Sequence, residues 1–311
     1  MRQLPVTRGA VRKVTPADPG PVSGNELLGF PLDRRQLTAQ VKQALREDGA
    51  YNDITTIATV LSDRRARATL VARAPGVIAG VPFALTAFRL LDAKVVIRVD
   101  ADDSARVSGA TSVMFVSGHA RAMLSAERVA LNYLQRLSGI ASLTARYVDA
   151  VRGTGARILD TRKTTPGMRS LEKYAVRAGG GMNHRMDLSE AILIKDNHLA
   201  SVGGDVAQAV RRVRKLAPEG TRIEVECDSE EQVQAALDSG ADMLLLDNMS
   251  VRQIERCVAM AAGRALTEAS GGISLETVRD IAEAGVDWIS IGALTHSAPA
   301  LDLALDFESL A

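Results

Sequence analysis

"RIEVECDSEEQVQAALDSGADMLLLD", residues 222–247, decides how this chain folds. A short apolar run (222–226) gives way to a segment in which acidic residues come first, Val233, Ala236 and Leu237 recur on one face, and Gly240 closes the pattern; a second apolar run (242–247) follows. Apolar spacing of that kind, opened by acids and stopped by glycine, marks an amphipathic helix between two strands. Strands joined by a helical crossover run parallel and are covered by their helices.

The unit recurs on either side. Further apolar runs are "ARILD" (156–160), "AILIK" (191–195), "ALTEAS" (265–270) and "DWISIG" (287–292), and "SLETVRDIAEAGV" (274–286) repeats the helical pattern. About six such units predict a closed α/β barrel; an open doubly wound sheet gives a similar pattern and stays as the alternative. Residues 25–120 read as a separate α+β domain, with β-rich pieces broken by Gly, Pro and Asp. A long helix links the two parts. Its expected start is Ser125 as N-cap with Glu127 in the first turn, which sets Arg128 near the positive end, a poor place for a cation unless it faces an anion or carboxylate.

Composition narrows the function. With 311 residues, 46% hydrophobic and 24% charged, the chain is globular and long enough for one large or two moderate domains. A formal net charge of +1 offers no global attraction to nucleic acid or anionic membranes, so anion recognition must come from local clusters. Cys227 and Cys257 are the only cysteines, which argues against a disulfide framework and for a reducing cytosol. The first 24 residues carry Arg2, Arg8, Arg12, Lys13 and four prolines without the apolar core of a secretory signal, and are expected to be a flexible tail. No apolar stretch approaches the ~20 residues that span a bilayer.

Each expected strand ends in a residue able to do chemistry: Asp160 followed by Thr161, Arg162 and Lys163, then Lys195, Glu226, Asp247, Ser270 and Gly292. In parallel α/β folds the strand C-termini share one face, and that face carries the active site. Arg162, Lys163, His184, Arg185 and Lys195 suit a ligand bearing several carboxylates or phosphates, while the spaced acids Glu226 and Asp247 suit ribose hydroxyls or Mg²⁺. Salt bridges across the mouth are the alternative for the same residues. "SGGIS" (270–274), read as leading into a helix near Ser274, and "SIGALTHS" (290–297) are candidate phosphate turns.

Taken together, "AERVALNYLQRLSGIAS", "ILDTRKTTPGMRSLEKYAVRAGGGMNHRMDLSEAILIKDNH", "IEVECDS", "LLLDNMS", "EASGGI" and "ISIGALTHS" resemble the quinolinate phosphoribosyltransferase family, also called nicotinate-nucleotide pyrophosphorylases (carboxylating). The resemblance runs through residues 126–297 and reaches back to about residue 66 in "ARAPGVIAG" and "GHARAML". It implies an α/β protein with an N-terminal α+β sandwich-like domain (25–130, with 298–311 packing back on it) and an incomplete α/β barrel (131–297). It also implies a cytoplasmic homodimer that joins quinolinate to phosphoribosyl pyrophosphate (PRPP) with Mg²⁺, releasing CO₂ and pyrophosphate and forming nicotinate mononucleotide for NAD biosynthesis. Carried over by position, Arg162, His184, Arg185 and Lys195 match the quinolinate-binding cations, joined by Arg128 from the partner subunit. Lys163, Glu226 and Asp247 match the catalytic and PRPP-binding set, with the two acids as the metal candidates. Ser270, Gly271, Gly272, Gly292 and His296 match the phosphate site. The chain departs from the family pattern at Asn52, where glycine is usual, and at Cys227, where an aliphatic residue is commoner.

Three rival readings share some of these features: a phosphoribosyltransferase of the same architecture acting on nicotinate or serving as a molybdenum-operon paralogue, a Schiff-base aldolase using Lys195, and a non-catalytic sensor of PRPP or a pyridine nucleotide. A count of cations facing the acceptor separates the first; the intact Lys163, Glu226 and Asp247 oppose the last.

Overall fold

The computed structural model describes residues 29–218 and 220–308. The expected tail, 1–24, lies outside the described residues. The N-terminal part runs α1 (Arg34–Glu47), α2 (Ile54–Thr59), β1 (Arg65–Ala72), β2 (Gly76–Val77), α3 (Val81–Leu91), β3 (Val96–Val99), β4 (Arg106–Val107), β5 (Thr111–His119) and α4 (Ala120–Ala150). Strands β1, β5 and β3 form an antiparallel sheet, completed by a strand from the far end of the chain. In β1, buried Ala66, Ala68, Leu70 and Ala72 alternate with more exposed positions, the period-2 pattern of a sheet with one face on the core.

The C-terminal part runs β6 (Arg157–Leu159), α5 (Arg169–Ala178), β7 (Ile192–Ile194), α6 (Asp196–Ala200), α7 (Val206–Leu216), β8 (Ile223–Cys227), α8 (Glu230–Asp238), β9 (Met243–Asp247), α9 (Val251–Ala261), β10 (Leu266–Ser270), α10 (Val278–Glu283), β11 (Trp288–Ser290), α11 (Ala293–His296) and β12 (Leu303–Phe307). Each of the six expected strands is present, all parallel, in the order β6-β11-β10-β9-β8-β7. The closed barrel expected from the repeats is not formed. β6 and β7 remain the two edges, and only a bridge from Met182 to Leu159 extends the β6 side. Barrels of this kind close with eight strands, and six cannot bring the two edges together.

Helix α4 starts at Ala120 with His119 as N-cap, six residues earlier than the sequence suggests, because β5 runs into it directly and the Ser125 hydroxyl donates instead to Asp53 at 3.0 Å. Arg128 therefore lies in the third turn, away from the positive helix end. At 31 residues and about 1.5 Å rise per residue, α4 extends roughly 46 Å and lies against both parts of the molecule. Beyond α11 the chain crosses it again, where the Leu301 amide donates to the Gln135 carbonyl and the Gln135 side chain to Leu303 O, before β12 pairs antiparallel with β1. Gly139 makes that crossing possible: a Cβ there would lie 2.0 Å from Pro299 O. Gly139→Ala is therefore expected to lower stability by about 1–3 kcal/mol through overpacking, read as a lower urea midpoint at unchanged slope.

Candidate active site at the barrel mouth

Parallel strand direction puts the ends of all six strands on one rim, and strand order then decides which side chains become neighbours. Arg162 and Lys163 follow β6 and stand beside the end of β11. There a Cβ on Gly292 would lie 3.0 Å from Lys163 Cδ and 3.1 Å from His296 Nε2, so lysine, glycine and histidine share one corner. The Lys163 loop is anchored from below. Buried Glu172 accepts from the Thr165 amide (3.0 Å), the Thr165 hydroxyl (2.8 Å) and Arg136 (2.6 Å). Arg136 also donates to Thr295 O, and the Thr295 hydroxyl donates to Lys163 O at 2.7 Å.

Asp160 is not on the rim. It is fully buried and paired with Lys173 of α5, also fully buried, because β6 ends below the mouth and its next residue turns inward. The rim begins at Thr161.

The segment 182–185 reaches the mouth from the β6 edge. The Arg185 guanidinium donates to Ala191 O at 2.8 Å and has no carboxylate within salt-bridge distance; neither do Arg162 and Lys163, among the described residues. Burial, with the Arg162 charge added to it, lowers the Arg185 pKa, so the two guanidiniums stand near enough to repel. Arg162 Nε is buried with no hydrogen-bond partner. Glu224 and Asp187 act on Arg185 only from beyond salt-bridge distance, so the two like charges form an anion site that the described residues do not fill.

Across the opening, Lys195 at the end of β7 donates to Glu226 near the end of β8 at 2.7 Å, with side chains 46% and 13% exposed. An exposed pair of this kind is worth about 0–1 kcal/mol, little enough for a polyanion to open. Asp247, the last residue of β9, accepts from Asn248 at 2.6 Å. Glu226 and Asp247 each keep a second carboxylate oxygen with no hydrogen bond among the described residues, so their hard oxygens fit Mg²⁺, which takes one or two carboxylates beside water and phosphate. Next to them, the turn after Ser270 is held open by Gly271, at φ +93°, where a Cβ would meet Asn248 Oδ1 at 2.2 Å. The helix expected at Ser274 begins only at Val278. The Thr277 hydroxyl accepts from the Ser274 amide at 3.1 Å and closes a turn in place of the first helical residues.

The sequence reading missed the layer beneath the mouth. In β8, Ile223, Val225 and Cys227 join the continuous apolar core, which turns Glu224 and Glu226 to the opposite face. Glu224 and Glu268 of β10 are buried, and His184 Nε2 stands 3.3 and 3.6 Å from them. The signal was present: a glutamate in mid-strand, covered on both faces, must find a partner. These three side chains place ligand atoms within 4.8 Å of one another, the spacing of a metal site. Yet His184 Nδ1 accepts the Arg185 amide hydrogen at 2.8 Å, so the proton sits on Nε2, which then has no lone pair for a metal. Nε2 faces the two carboxylates, and Glu224 Oε1 and both Glu268 oxygens are buried with no hydrogen-bond partner among the described residues. Burial, the largest effect, works to lower the His184 pKa, and the two carboxylates outweigh it and raise it. Burial, followed by repulsion from Glu224, pushes the Glu268 carboxyl up to about 8.

The remaining candidate, Arg128, is exposed on α4, and among the described residues no hydrogen bond or ion pair joins it to the mouth. Around it, α2 is tied to α4 through Asp53–Ser125 and through Arg121 to Ile57 O and Val60 O, and Tyr51, Ile54, Ile57 and Leu61 are exposed.

An incomplete parallel barrel, fused to an antiparallel domain and opening on an uncompensated cation cluster beside two acids, defines an enzyme for phosphorylated or polycarboxylate substrates. Residues 53–138 match the family model described as the quinolinate phosphoribosyl transferase N-terminal domain, and residues 140–306 match its C-terminal domain. The nicotinate-nucleotide pyrophosphorylase (carboxylating) of Mycobacterium leprae is 48% identical over 86% of this chain and 95% of that protein. A Bacillus subtilis protein named as a probable enzyme of the same kind is 39% identical over 88% and 94%. The crystal structure of NadC from Streptococcus pyogenes superposes with a TM-score of 0.85 at 42% identity, covering 90% of this chain and 99% of that one. The chain belongs to the quinolinate phosphoribosyltransferase family.

The Glu268 site makes a prediction for stability. Between its ordinary pKa of 4.5 and about 8, the folded protein retains a proton that the unfolded chain releases, so stability falls as pH rises through that window. The melting temperature of wild type relative to Glu268→Gln is expected to drop between about pH 5 and about pH 8.5. Parallel curves would contradict the assignment.

Proposed function

We propose that this chain transfers the phosphoribosyl group of PRPP to quinolinate with loss of CO₂, forming nicotinate mononucleotide and pyrophosphate for NAD biosynthesis. The observation that carries the reading is the Arg162–Arg185 pair, two guanidiniums with no carboxylate within salt-bridge distance among the described residues, one with a buried unpartnered Nε. A ligand with two adjacent carboxylates supplies what that pair lacks, and a monocarboxylate does not. Lys195 and His184 border the same opening, Lys195 after release from Glu226.

Breaking the C1–pyrophosphate bond builds positive charge on the ribose and negative charge on the leaving group. Lys163, in its corner with Gly292 and His296, faces the leaving pyrophosphate; Ser270, Gly271 and Gly272 border the 5′-phosphate. Glu226 and Asp247 hold the ribose hydroxyls and place negative charge near the cationic ring. Magnesium held by these two acids would supply further neutralisation of the pyrophosphate. The guanidiniums keep the pyridine nitrogen in line with C1, an orientation effect worth up to ~7–11 kcal/mol in favourable cases. Once alkylated, the cationic nitrogen stabilises the electron pair left on the adjacent ring carbon when its carboxylate departs as CO₂, and a proton from solvent then takes the place of the carboxylate at that carbon.

The working form is a cytoplasmic homodimer in which Arg128 completes the partner's site. Support comes from the exposed apolar residues Tyr51, Ile54, Ile57 and Leu61 around that end of α4, and from Arg128 itself, an exposed cation with no carboxylate within salt-bridge distance among the described residues. No helix among the described residues is long and apolar enough to cross a membrane.

Incubation of the purified protein with quinolinate, PRPP and Mg²⁺ is expected to yield nicotinate mononucleotide, and a chelator to stop it; no product would end the reading. Arg162→Ala should raise KM for quinolinate, whereas Lys163→Ala should lower kcat by about 10²-fold or more. Arg128→Ala and Arg162→Ala proteins, each nearly silent at a quinolinate concentration far below its raised KM, should regain activity at that concentration when mixed and re-assembled, because one mixed site then carries both arginines. Continued inactivity would place Arg128 outside the partner's site.

A further inference from the structure

Lys173 and Asp160 are charged, wholly buried and unused by the chemistry above. Lys173 Nζ donates to Asp160 Oδ1 and, at 2.9 Å, to the His184 carbonyl. Asp160 Oδ1 accepts the His184 amide at 2.9 Å, and its Oδ2 accepts from Asn183 at 2.5 Å; Asn183 also donates to Lys173 O at 2.8 Å. The backbone N–H and C=O of His184, in the two peptide groups that flank its Cα, are thus both held by one ion pair. Burial raises the Asp160 pKa and lowers that of Lys173, each offset by the partner. An apolar pair could fill the same space without that cost, so the pair calls for another explanation.

Its position supplies one. Asp160 immediately precedes Thr161, Arg162 and Lys163, and the other arm of the network is Asn183, His184 and Arg185. The two segments that carry the mouth guanidiniums are joined here and repel each other above. We propose that Lys173 and Asp160 are positioning residues that hold Arg162 and Arg185 at the separation of two adjacent carboxylates, and so set the preference for a pyridine dicarboxylate over a monocarboxylate. The inference rests on the reading of these arginines given under the proposed function.

The test is binding and kinetics on the full-length enzyme with Lys173→Met, Asp160→Asn and the double variant, in which no lone charge is left buried. Misplacement of the arginines should weaken quinolinate binding about tenfold or more in each, by KM and by calorimetry, while KM for PRPP changes less than about twofold and the preference for quinolinate over nicotinate shrinks. A purely structural staple would lower the melting temperature and the active fraction without separating the two substrates, and that result would overturn the inference. So would unchanged quinolinate binding in a folded double variant. Wild-type protein that fails to convert quinolinate would instead remove the functional reading itself, and this inference with it.

Discussion

Helix α4 has to satisfy two cores at once. Its first half buries Met123, Ala126, Ala130 and Leu134 among the helices and sheet of the N-terminal part, and its second half buries Ile140, Ala141, Thr144 and Ala145 toward the barrel. Close packing leaves no room for error on either side. Gly139 admits the returning C-terminal segment, and Gly179 lies where a Cβ would stand 2.3 Å from Ala141 O, seating the end of α5 against the same helix. Arg136, between these contacts, reaches Glu172 of α5 and the Thr295 carbonyl. Fixing α4 therefore fixes α5, and with it the loop that presents Lys163.

The electrostatics above that frame are layered. The mouth holds Arg162, Lys163 and Arg185, which have no carboxylate within salt-bridge distance among the described residues; beneath it lie His184, Glu224 and Glu268, with Lys173 and Asp160 to one side. Buried charge of either sign is tolerated only when paired or neutralised. Lys173 and Asp160 meet that requirement by pairing, and Glu268 meets it by keeping its proton to about pH 8. At the mouth, by contrast, Arg162, Lys163 and Arg185 are left without a close counter-charge among the described residues. That makes it a place for a ligand, and the Lys195–Glu226 bridge shows how the solvent-facing side accommodates the same problem at small cost.

Much of this was legible in the residues. The six strands, their parallel direction and the rim positions of Arg162, Lys163, Lys195, Glu226 and Asp247 follow from period and punctuation, which are local properties of the chain. Boundaries were weaker where side chains chose tertiary partners over local ones: Ser125 bonds Asp53 and caps nothing, and Ser274 with Thr277 makes a turn where a helix was expected. Asp160 looked like its rim neighbours because burial cannot be read from residue type alone.

By itself, then, the sequence settled the class of fold, the family and the list of charged groups at the strand ends. Tertiary structure chose the incomplete barrel that the family resemblance implied over the closed one that the repeats suggested, and it alone decided that Lys195 faces Glu226 and Lys163 faces Gly292 and His296, and that Glu224, Glu268 and Lys173 are interior. The reason is physical: spacing along a chain specifies which face a residue occupies, whereas strand order and depth of burial specify what it meets there.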